Sequence, residues 1–199
     1  MIGKIGRPKN KGGNMIETER LILRNFREED LEDYFDFVSQ NDVLTRVGAD
    51  PYTDKEKARE KLLSESQKPL RFAIVLKENN KVIGNISLND PKPGRYDGVN
   101  IDENTKELGY ILSHDYWGRG IMPEAGKRIL EYAFDELGVA NVVCGTKTLN
   151  KQSVRTQEKI GFKVHSIREN VDKWVNGEIC GYIRTIITAE DWKNRESEK

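Results

Sequence analysis

The sequence predicts a single-domain α/β fold, and three observations indicate it. Strand-like and helix-like segments alternate in the order strand, two helices, three strands, helix, strand, helix and hairpin. No internal repeat or linker separates them, and 199 residues are enough for one domain with a substantial core. Residues 107–124 join a strand to a helix through a glycine-rich turn, around which the rest of the chain is organised.

The first half of the chain contains three predicted strands and two predicted helices. The strands span residues 20–26, 70–77 and 81–88, and the helices span residues 28–40 and 53–67. The first helix has apolar residues at helical spacing and acidic residues in its first turn. Thr53 and Glu56 have capping-box spacing at the start of the second helix. Residues 90–104 are predicted to form a loop because of their composition.

The second half continues the alternation. The predicted segments are a strand at 108–112, a helix at 123–137, a strand at 141–146, a helix at 151–160 and hairpin strands within 162–175 and 178–188. Pro123 suits the first turn of its helix, where the missing N–H has no intrahelical partner. Gly138 and Gly161 are predicted to end the two helices. Asn150 is predicted to cap the second of them, and Asn176-Gly177 predicts a type I′ turn.

Composition bounds the class of protein. Charged residues make up 33% and hydrophobic residues 36%, and no apolar run approaches the length needed to cross a bilayer. The formal net charge of zero argues against nucleic acid as the main partner. Cys144 and Cys180 are expected to be free thiols in a reducing cytoplasm. His114 and His165 have no Cys/His cluster around them, so no metal site is expected.

The N-terminus differs from the rest of the chain. Residues 1–14 hold four basic residues and no acidic one, and they have no periodicity, so we expect a disordered basic extension. A basic arm for nucleic acid is the functional alternative. Lys11-Gly12-Gly13 can be encoded by a bacterial ribosome-binding sequence, which suggests Met15 as the native start. The expected domain therefore spans residues 15–192, followed by a polar tail at 193–199.

The turn within residues 107–124 has the features of an anion site. Gly118 and Gly120 let the backbone approach a ligand closely, and Arg119 can bind phosphate oxygens with two parallel hydrogen bonds. The turn amides and the unpaired N–H groups at the start of the next helix point toward one spot, where the helix dipole adds positive charge. The sequence therefore predicts a phosphate site at this turn.

An ordered set of short motifs resembles the GCN5-related N-acetyltransferase (GNAT) superfamily. The matching segments are residues 17–24 (ETERLILR), 108–110 (LGY), 116–120 (YWGRG), 150–153 (NKQS) and 161–162 (GF). The resemblance covers residues 17–192 and is greatest to the branch that acetylates the N-terminal alanines of ribosomal proteins. It implies a mixed, mostly antiparallel sheet flanked by helices, in which two parallel strands, 108–112 and 141–146, splay apart.

The resemblance also implies acetyl-CoA as co-substrate, with no metal. The pantetheine arm would lie between the splayed strands, against backbone at Ile111 and Leu112, with Asn150 and Ser153 beside it. The pyrophosphate would be held by the loop and helix start, formed by Trp117, Gly118, Arg119, Gly120, Ile121 and Met122. Met122 departs from the family pattern, which has Gly or Ala there.

Acetyl transfer to an amine needs a base, a donor for the carbonyl oxygen and an acid for the departing thiolate. Glu107 is the candidate base, because it begins the strand beside the splay; an exposed strand glutamate is the alternative. Backbone N–H near residues 111–112 is the candidate donor. Many family members carry a tyrosine acid where this chain has Gln157, and Ser153 resembles the substitute; an ordinary helix residue is the alternative.

The acceptor class stays open at this stage. A protein α-amine has a pKa near 8, against about 10.4 for lysine, so it needs less deprotonation and is mildly favoured. The alternatives are a polyamine, an aminoglycoside-like drug or an amino acid, or a non-catalytic module that binds a CoA thioester. The acidic residues of the first helix could attract a cation or be a solvated face.

His114 could relay a proton or lie on the surface, and an acetyl-thioester on Cys144 is rejected because no histidine accompanies it. The chain is expected to be a monomer or a homodimer.

Overall fold

One mixed sheet spans the molecule in the computed structural model, which describes residues 15–96, 98–99 and 104–195. The strands of these residues are β1 (Ile16–Glu17), β2 (Leu21–Arg24), β3 (Arg71–Leu76), β4 (Val82–Asn89), β5 (Thr105–Leu112), β6 (Asn141–Lys147), β7 (Lys163–Lys173) and β8 (Ile179–Thr188). Their order across the sheet is β1-β2-β3-β4-β5-β6-β8-β7. Only the β5/β6 pair is parallel among the pairs of these described strands.

Helices cover both faces of this sheet. They are α1 (Leu31–Val38), α2 (Asn41–Leu44), α3 (Lys55–Ser66), α4 (Ile121–Glu131), α5 (Lys151–Ile160) and α6 (Ala189–Asn194). Short 3₁₀ turns at Glu28–Asp30, Thr45–Val47 and His114–Tyr116 extend or precede them, and a π-helical turn at Tyr132–Glu136 continues α4. None of the helices in the described residues has the length and apolar character needed to span a membrane.

The core consists of two apolar clusters, one on each face of the sheet. Because side chains alternate along a strand, β3 contributes Phe72 and Ile74 to one cluster and Ala73 and Val75 to the other. The first cluster contains apolar residues of α4 and α5, and the second contains those of α1, α2 and α3. The helices that follow β5 and β6 therefore lie on one face, and the helices that follow β2 lie on the opposite face.

The parallel pair diverges after its first three residues, as the resemblance implies. Strands β5 and β6 pair through Thr105 with Asn141, Lys106 with Val142, and Glu107 with Val143, and no further. Beyond that point β5 stays paired with β4 as far as Leu112, and β6 stays paired with β8 as far as Lys147. The two strands therefore open a slot in the middle of the sheet.

Two helix starts differ from the sequence prediction. Helix α4 begins at Ile121, with Gly120 as N-cap in the left-handed region (φ 74°). Pro123 is thus its third residue, where a missing N–H still breaks no intrahelical bond. Helix α3 is capped by Asp54 instead of Thr53, because the Asp54 carboxylate accepts hydrogen bonds from the N–H groups of the next helical residues. The cap of α5 by Asn150 is confirmed.

The hairpin between β7 and β8 is confirmed, but the predicted type I′ turn is wrong. Trp174 N–H donates to the Glu178 carbonyl (2.7 Å), and Gly177 N–H donates to the Trp174 carbonyl (2.9 Å). Of the turn residues only Gly177 has a positive φ (84°), whereas a type I′ turn needs two such residues. The connection is therefore a three-residue loop that ends in a left-handed glycine.

Three short elements were absent from the sequence prediction: β1, α2 and α6. Helix α6 has a capping box between Thr188 and Asp191, and its buried Trp192 stacks on Phe134 with ring centroids 5.4 Å apart. It ends two residues beyond the expected domain limit at 192. Cys144 and Cys180 are buried free thiols, as predicted. The expectation for residues 1–14 lies outside the described residues, as does the end of the predicted tail.

Candidate active site

A cleft of about 530 Å³ opens where β5 and β6 diverge. Of the residues predicted to act in catalysis or cofactor binding, all but one contribute side chains or backbone to its lining: Glu107, Ile111, Leu112, Trp117, Gly118, Gly120, Ile121, Met122, Asn150 and Ser153. Arg119 is the exception. The divergence of two strands thus brings residues from β5, the glycine loop, α4 and α5 around one space.

The slot begins at Cys144. The Cys144 thiol donates a hydrogen bond to the Leu108 carbonyl (3.3 Å), across the point where the strand pairing stops. The thiol is buried, and burial raises its pKa to about 12, with the Glu107 carboxylate adding to the effect. A thiol with so high a pKa is almost entirely protonated at neutral pH, so Cys144 is a poor nucleophile. Its small side chain instead fills the base of the slot.

Backbone groups of β5 face the slot at alternate residues. Ser113 N–H donates to the Ile83 carbonyl of β4 (2.8 Å), and alternation along an antiparallel ladder directs the Ile111 N–H toward β4 as well. The N–H groups of Tyr110 and Leu112 therefore point into the slot. Of the two predicted donors, only Leu112 directs its N–H into the cleft. Ile111 also lines the cleft, but its N–H points toward β4.

The glycine loop has the backbone geometry expected of an anion site. Gly118 (φ 77°) and Gly120 (φ 74°) are both in the left-handed region, which a residue with a Cβ rarely adopts. No atom of the described residues lies within 4 Å of the position that a Cβ on Gly118 would take. Helix α4 begins directly afterwards, and its first N–H groups, on Ile121 and Met122, have no intrahelical acceptors. The buried Met122 side chain belongs to the core, which leaves its amide at the cleft.

Arg119 does not line the cleft. Its guanidinium lies over the Tyr116 ring, 5.1 Å from the centroid. Its carbonyl accepts a hydrogen bond from Arg20 Nη1 (3.0 Å). Arg20 also donates through Nε to Glu124 (2.6 Å), and the Thr18 hydroxyl donates to the same carboxylate (2.5 Å). The segment before β2 therefore fastens the glycine loop to the first turn of α4.

The hydroxyl groups of Tyr110 and Ser153 meet beside the slot. Tyr110 Oη lies 2.8 Å from Ser153 Oγ, which also accepts a hydrogen bond from Gln157 Nε2 (3.2 Å). Asn150 Oδ1 accepts from the Ser153 N–H (3.3 Å), so the cap of α5 fixes the position of this serine. Burial raises the pKa of Tyr110, and its hydrogen bonds to the α5 side chains only partly offset this. The Tyr110 hydroxyl is therefore protonated at neutral pH.

Glu107 lies on the opposite face of β5 from Tyr110, as strand alternation requires. Its Oε1 accepts a hydrogen bond from the Tyr96 hydroxyl (2.8 Å) and forms an ion pair with Arg95 Nη1 (3.2 Å). Arg95 Nη2 in turn donates to the Tyr182 hydroxyl (2.7 Å). Neither contact involves Oε2, and the side chain is only 14% exposed. The carboxylate is thus held in one orientation with its second oxygen free of these partners.

The acidic residues of the first helix are occupied by contacts within the protein. The carboxylates that bind an Arg, a Lys or a backbone N–H are Glu28 (Arg59), Asp30 (Arg24), Glu32 (Lys55), Asp33 (Val82 N–H) and Asp36 (Lys81). Of the six acids considered, only Glu29 has no such contact among the described residues. The helix therefore offers little uncompensated negative charge to an approaching cation.

His114 lies on the rim of the cleft without lining it. Its Nδ1 is 2.6 Å from Asp42 Oδ2, and its ring lies against Trp117, with centroids 4.5 Å apart. Trp117 Nε1 donates to the Leu112 carbonyl (2.8 Å), so the indole is fixed at the end of β5. The histidine therefore buttresses Trp117 from the solvent side.

Sequence reasoning missed several residues of the cleft, and two of them, Tyr110 and Arg95, contact the candidate catalytic residues Ser153 and Glu107. Tyr110 was noted only as part of a motif, although period-2 alternation already places it on the same face as the buried Leu108 and Leu112. Its meeting with Ser153 depends on how α5 crosses the sheet, which the sequence does not specify. Arg95 lies in a segment whose composition predicts only a loop, and nothing in that segment indicates contact with Glu107.

The chain is similar to known acetyltransferases. The model of the acetyltransferase (GNAT) domain matches residues 20–163. An uncharacterised N-acetyltransferase of Bacillus licheniformis, p20, is 27% identical over 182 residues, which cover 88% of this chain and 97% of that protein. A putative ribosomal N-acetyltransferase of Bacillus subtilis, YdaF, is 35% identical over 99 residues, covering 49% of this chain and 54% of that protein.

The fold agrees with the sequence match. The crystal structure of a GNAT-family acetyltransferase from Bacillus anthracis has a TM-score of 0.76 and 24% sequence identity, with 89% of this chain and 99% of that chain covered. Because the family model spans the greater part of the sequence, the chain belongs to the GNAT family and is an acetyl-CoA-dependent acyltransferase.

Proposed function

We propose that the chain transfers an acetyl group from acetyl-CoA directly to the N-terminal α-amine of a protein, such as a ribosomal protein. The observation that supports this most is the slot between β5 and β6, which has the glycine loop and the Tyr110–Ser153 pair on one face and Glu107 on the other. Two reactants can thus enter from opposite faces and meet at the slot, as direct transfer in a ternary complex requires.

The residues of the cleft fit the co-substrate. Acetyl-CoA supplies the activated acetyl thioester when it is bound. The free amides of Gly120, Ile121 and Met122, at the start of α4, suit a pyrophosphate. The slot-facing N–H groups of Tyr110 and Leu112 suit the amides of a pantetheine arm and the carbonyl oxygen of the thioester. Arg119 is placed on Tyr116, so in this proposal it contributes charge near the loop without direct contact.

Glu107 is proposed as the base. Tyr96 and Arg95 hold one carboxylate oxygen, which leaves Oε2 to accept a proton from the amine directly or through a water molecule. Its position on the face opposite Tyr110 separates the site of proton removal from the site of proton donation.

Ser153 and Tyr110 are proposed to protonate the departing thiolate. Their hydroxyl groups share a hydrogen bond at the slot, and the raised pKa of Tyr110 keeps its proton available throughout the neutral range. In this arrangement Ser153 and Gln157 orient the tyrosine, and the serine hydroxyl can pass on the proton. The prediction that Ser153 acts alone is thus extended to a pair.

The acceptor class is inferred from chemistry and from one relative. An α-amine has a pKa of about 8 and is partly neutral at physiological pH, whereas a polyamine is fully charged. Four of the six carboxylates of the first helix pair with the protein's own Lys and Arg residues, which reduces the attraction for a polycation. The relative named as a putative ribosomal N-acetyltransferase supports a protein N-terminus.

The experiment is acetyl-CoA turnover with a panel of acceptors. The panel contains peptides with different N-terminal residues, a lysine peptide with a blocked N-terminus, and spermidine. Thiol release gives the rate and mass spectrometry locates the acetyl group. We expect acetylation of peptide α-amines, with little turnover of spermidine. Turnover of spermidine or the lysine side chain in preference to every α-amine would contradict the proposal.

A further inference from the structure

We infer that the acceptor carries a carboxylate close to the amine that is acetylated. This inference rests on the proposed function and narrows its substrate class. The structural basis is a pair of arginine side chains, Arg46 and Arg184, on the side of the slot where Glu107 lies. Each has at least one buried N–H group that finds no acceptor among the described residues. Of the two, Arg46 is the central one.

Arg46 lies at the Leu112 end of the slot. It belongs to the 3₁₀ turn after α2 and lines the cleft. Its guanidinium lies between two indoles, 5.0 Å from the Trp117 centroid and 5.4 Å from the Trp174 centroid. The turn after α2 and the tip of the β7–β8 hairpin therefore meet through this residue, above the fixed ring of Trp117. The aromatic contacts hold the guanidinium in place without neutralising its charge.

Arg46 lacks a partner for its polar atoms. Its Nε–H is buried and has no hydrogen-bond acceptor, and among the described residues no carboxylate forms an ion pair with it. Leaving a buried N–H unsatisfied is unfavourable, and a fixed guanidinium with open donors matches the geometry of a carboxylate. A ligand oxygen that reached this site would be bound by a group already oriented to receive it.

A second unsatisfied arginine lies behind the Glu107 end. Arg184 has two buried nitrogens, Nε and Nη1, that find no acceptor among the described residues, and its guanidinium lies over the rings of Tyr96 and Tyr182 at 5.9 Å and 5.4 Å. Arg95, in contrast, is already paired with Glu107. The charge of Arg95 is thus balanced, while Arg184 adds positive potential to the same wall.

The charges of the residues that line the cleft also favour an anionic group on the acceptor. Among the described lining residues, Glu107 is the one acid, and five residues are basic: Arg46, Arg95, Lys147, Arg155 and Lys159. Arg155 and Lys159 belong to α5, on the face of the cofactor phosphates, and Lys147 is paired with Asp172 (3.3 Å). Arg46, in contrast, has no ion-pair partner among the described residues. It also does not belong to α5, whose basic residues lie on the side of the cofactor phosphates. An anionic group on the acceptor would supply its counter-charge.

The carboxylate could belong to an acidic side chain near a protein N-terminus or to the end of a short peptide. The test uses two matched acceptor pairs. One is a longer peptide beginning Ala-Glu and its Ala-Gln counterpart, both with amidated C-termini. The other is the dipeptide Ala-Gly and its C-terminal amide. The ratio of kcat/KM within each pair measures recognition of the carboxylate, and the two pairs distinguish its source.

We expect the carboxylate member of at least one pair to be favoured about tenfold or more, as for a hydrogen-bonded charged pair. Arg46→Gln should bring that ratio toward one. Arg128→Gln is the matched control, because Arg128 is an α4 residue that pairs with Glu131 and does not line the cleft. The control should keep the ratio of the unsubstituted protein. Melting temperatures show whether both variants fold.

Two results would overturn the inference. One is a ratio near or below one in both pairs for the unsubstituted protein, a result that does not depend on whether Arg46→Gln folds. The other is an unchanged ratio in Arg46→Gln with weakened CoA binding, which would assign Arg46 to the cofactor phosphates. If no amine is acetylated, the proposed function fails instead. Calorimetry then tests the inference without turnover. The ratio of Kd values within each acceptor pair, measured for the protein bound to CoA, replaces the ratio of kcat/KM.

Discussion

Single residues of the cleft are oriented by partners that the sequence places far away. Glu107 is held by Tyr96 and Arg95, and Tyr110 is held by Ser153, which the Asn150 cap positions. Each reactive group is thus fixed by a contact between different elements. Such contacts leave one atom free for chemistry, Oε2 in the case of Glu107, while they satisfy the rest of the group.

Replacement of Glu107 tests the proposed base. Glu107→Gln keeps the shape and can still contact Tyr96 and Arg95, but it cannot accept a proton. We expect kcat to fall about 100-fold or more, the usual worth of general base catalysis, with CoA affinity nearly unchanged. Steady-state kinetics and calorimetry measure the two quantities. Glu60→Gln, at an exposed position of α3, is the control; equal kcat values for the two variants would remove Glu107 from the mechanism.

Replacement of Tyr110 tests the proposed proton donor. Tyr110→Phe keeps the ring in the core but removes the hydroxyl that meets Ser153, so we expect kcat to fall about 10- to 100-fold. Tyr34→Phe removes another buried hydroxyl, in the opposite apolar cluster, and should leave kcat unchanged. Stopped-flow measurement of thiol release gives the rates. A Tyr110→Phe protein as fast as Tyr34→Phe would mean that the thiolate leaves without this hydroxyl.

At the scale of elements, the proposed phosphate site depends on the junction of β5, the glycine loop and α4. Gly118 and Gly120 turn the chain through left-handed conformations, and α4 begins at once, so its free amides face the cleft. Because α4 starts at Ile121, two residues before the predicted position, the unpaired amides of its first turn are those of Gly120, Ile121 and Met122. A group of amides that point the same way at a helix start is suited to an anion.

Substitution within this junction has a specific expected effect. Gly120→Ala forces a Cβ into the left-handed region, at a cost of about 1–2 kcal/mol, and should distort the amides that bind phosphate. We expect a lower melting temperature and at least tenfold weaker CoA binding. Gly138 is also left-handed (φ 62°) and has no atom near its Cβ position. Gly138→Ala should therefore lower the melting temperature without weakening CoA binding. Similar CoA affinities for the two variants would show that the loop does not bind the cofactor.

Much of this architecture could be predicted from local patterns. The predicted strands at 70–77 and 81–88 correspond to β3 and β4, helical spacing identified α1, and Asn150 with Gly161 identified both ends of α5. These features depend on residues close in the chain. The elements β1 and α2 were missed because two to four residues carry too little pattern, and the Arg95–Glu107 pair was missed because it depends on where a loop crosses the sheet.

At the scale of the whole molecule, the chain before β2 is tied to the junction of the glycine loop and α4. Thr18 and Arg20 both bind the Glu124 carboxylate, and Arg20 also reaches the Arg119 carbonyl. Residues more than 100 positions apart are thereby joined, which links one side of the sheet to the start of α4. The motif at residues 17–24, which contributed to the family resemblance, therefore has a structural role in holding the loop.

This tie predicts a dependence of stability on pH. Burial alone would raise the pKa of Glu124, but hydrogen bonds from Thr18 and Arg20 outweigh it and hold the pKa below its ordinary value. A carboxyl with a lowered folded-state pKa contributes stability above its unfolded pKa, and this contribution is lost as pH falls through the folded value. Thermal melting between pH 7 and pH 3 should show a smaller decrease for Glu124→Gln than for the unsubstituted protein. The exposed α5 substitution Glu158→Gln is the control, and parallel curves for all three proteins would contradict this assignment.

The roles proposed for the cleft residues all depend on acetyl-CoA binding in the slot between β5 and β6. A crystal structure of the protein with CoA tests this most directly. We expect the pyrophosphate at the amides of residues 118–122, the pantetheine arm along the slot-facing N–H groups of Tyr110 and Leu112, and the sulfur near the Tyr110 hydroxyl. CoA bound elsewhere on the surface, with β5 and β6 enclosing an empty slot, would contradict the account.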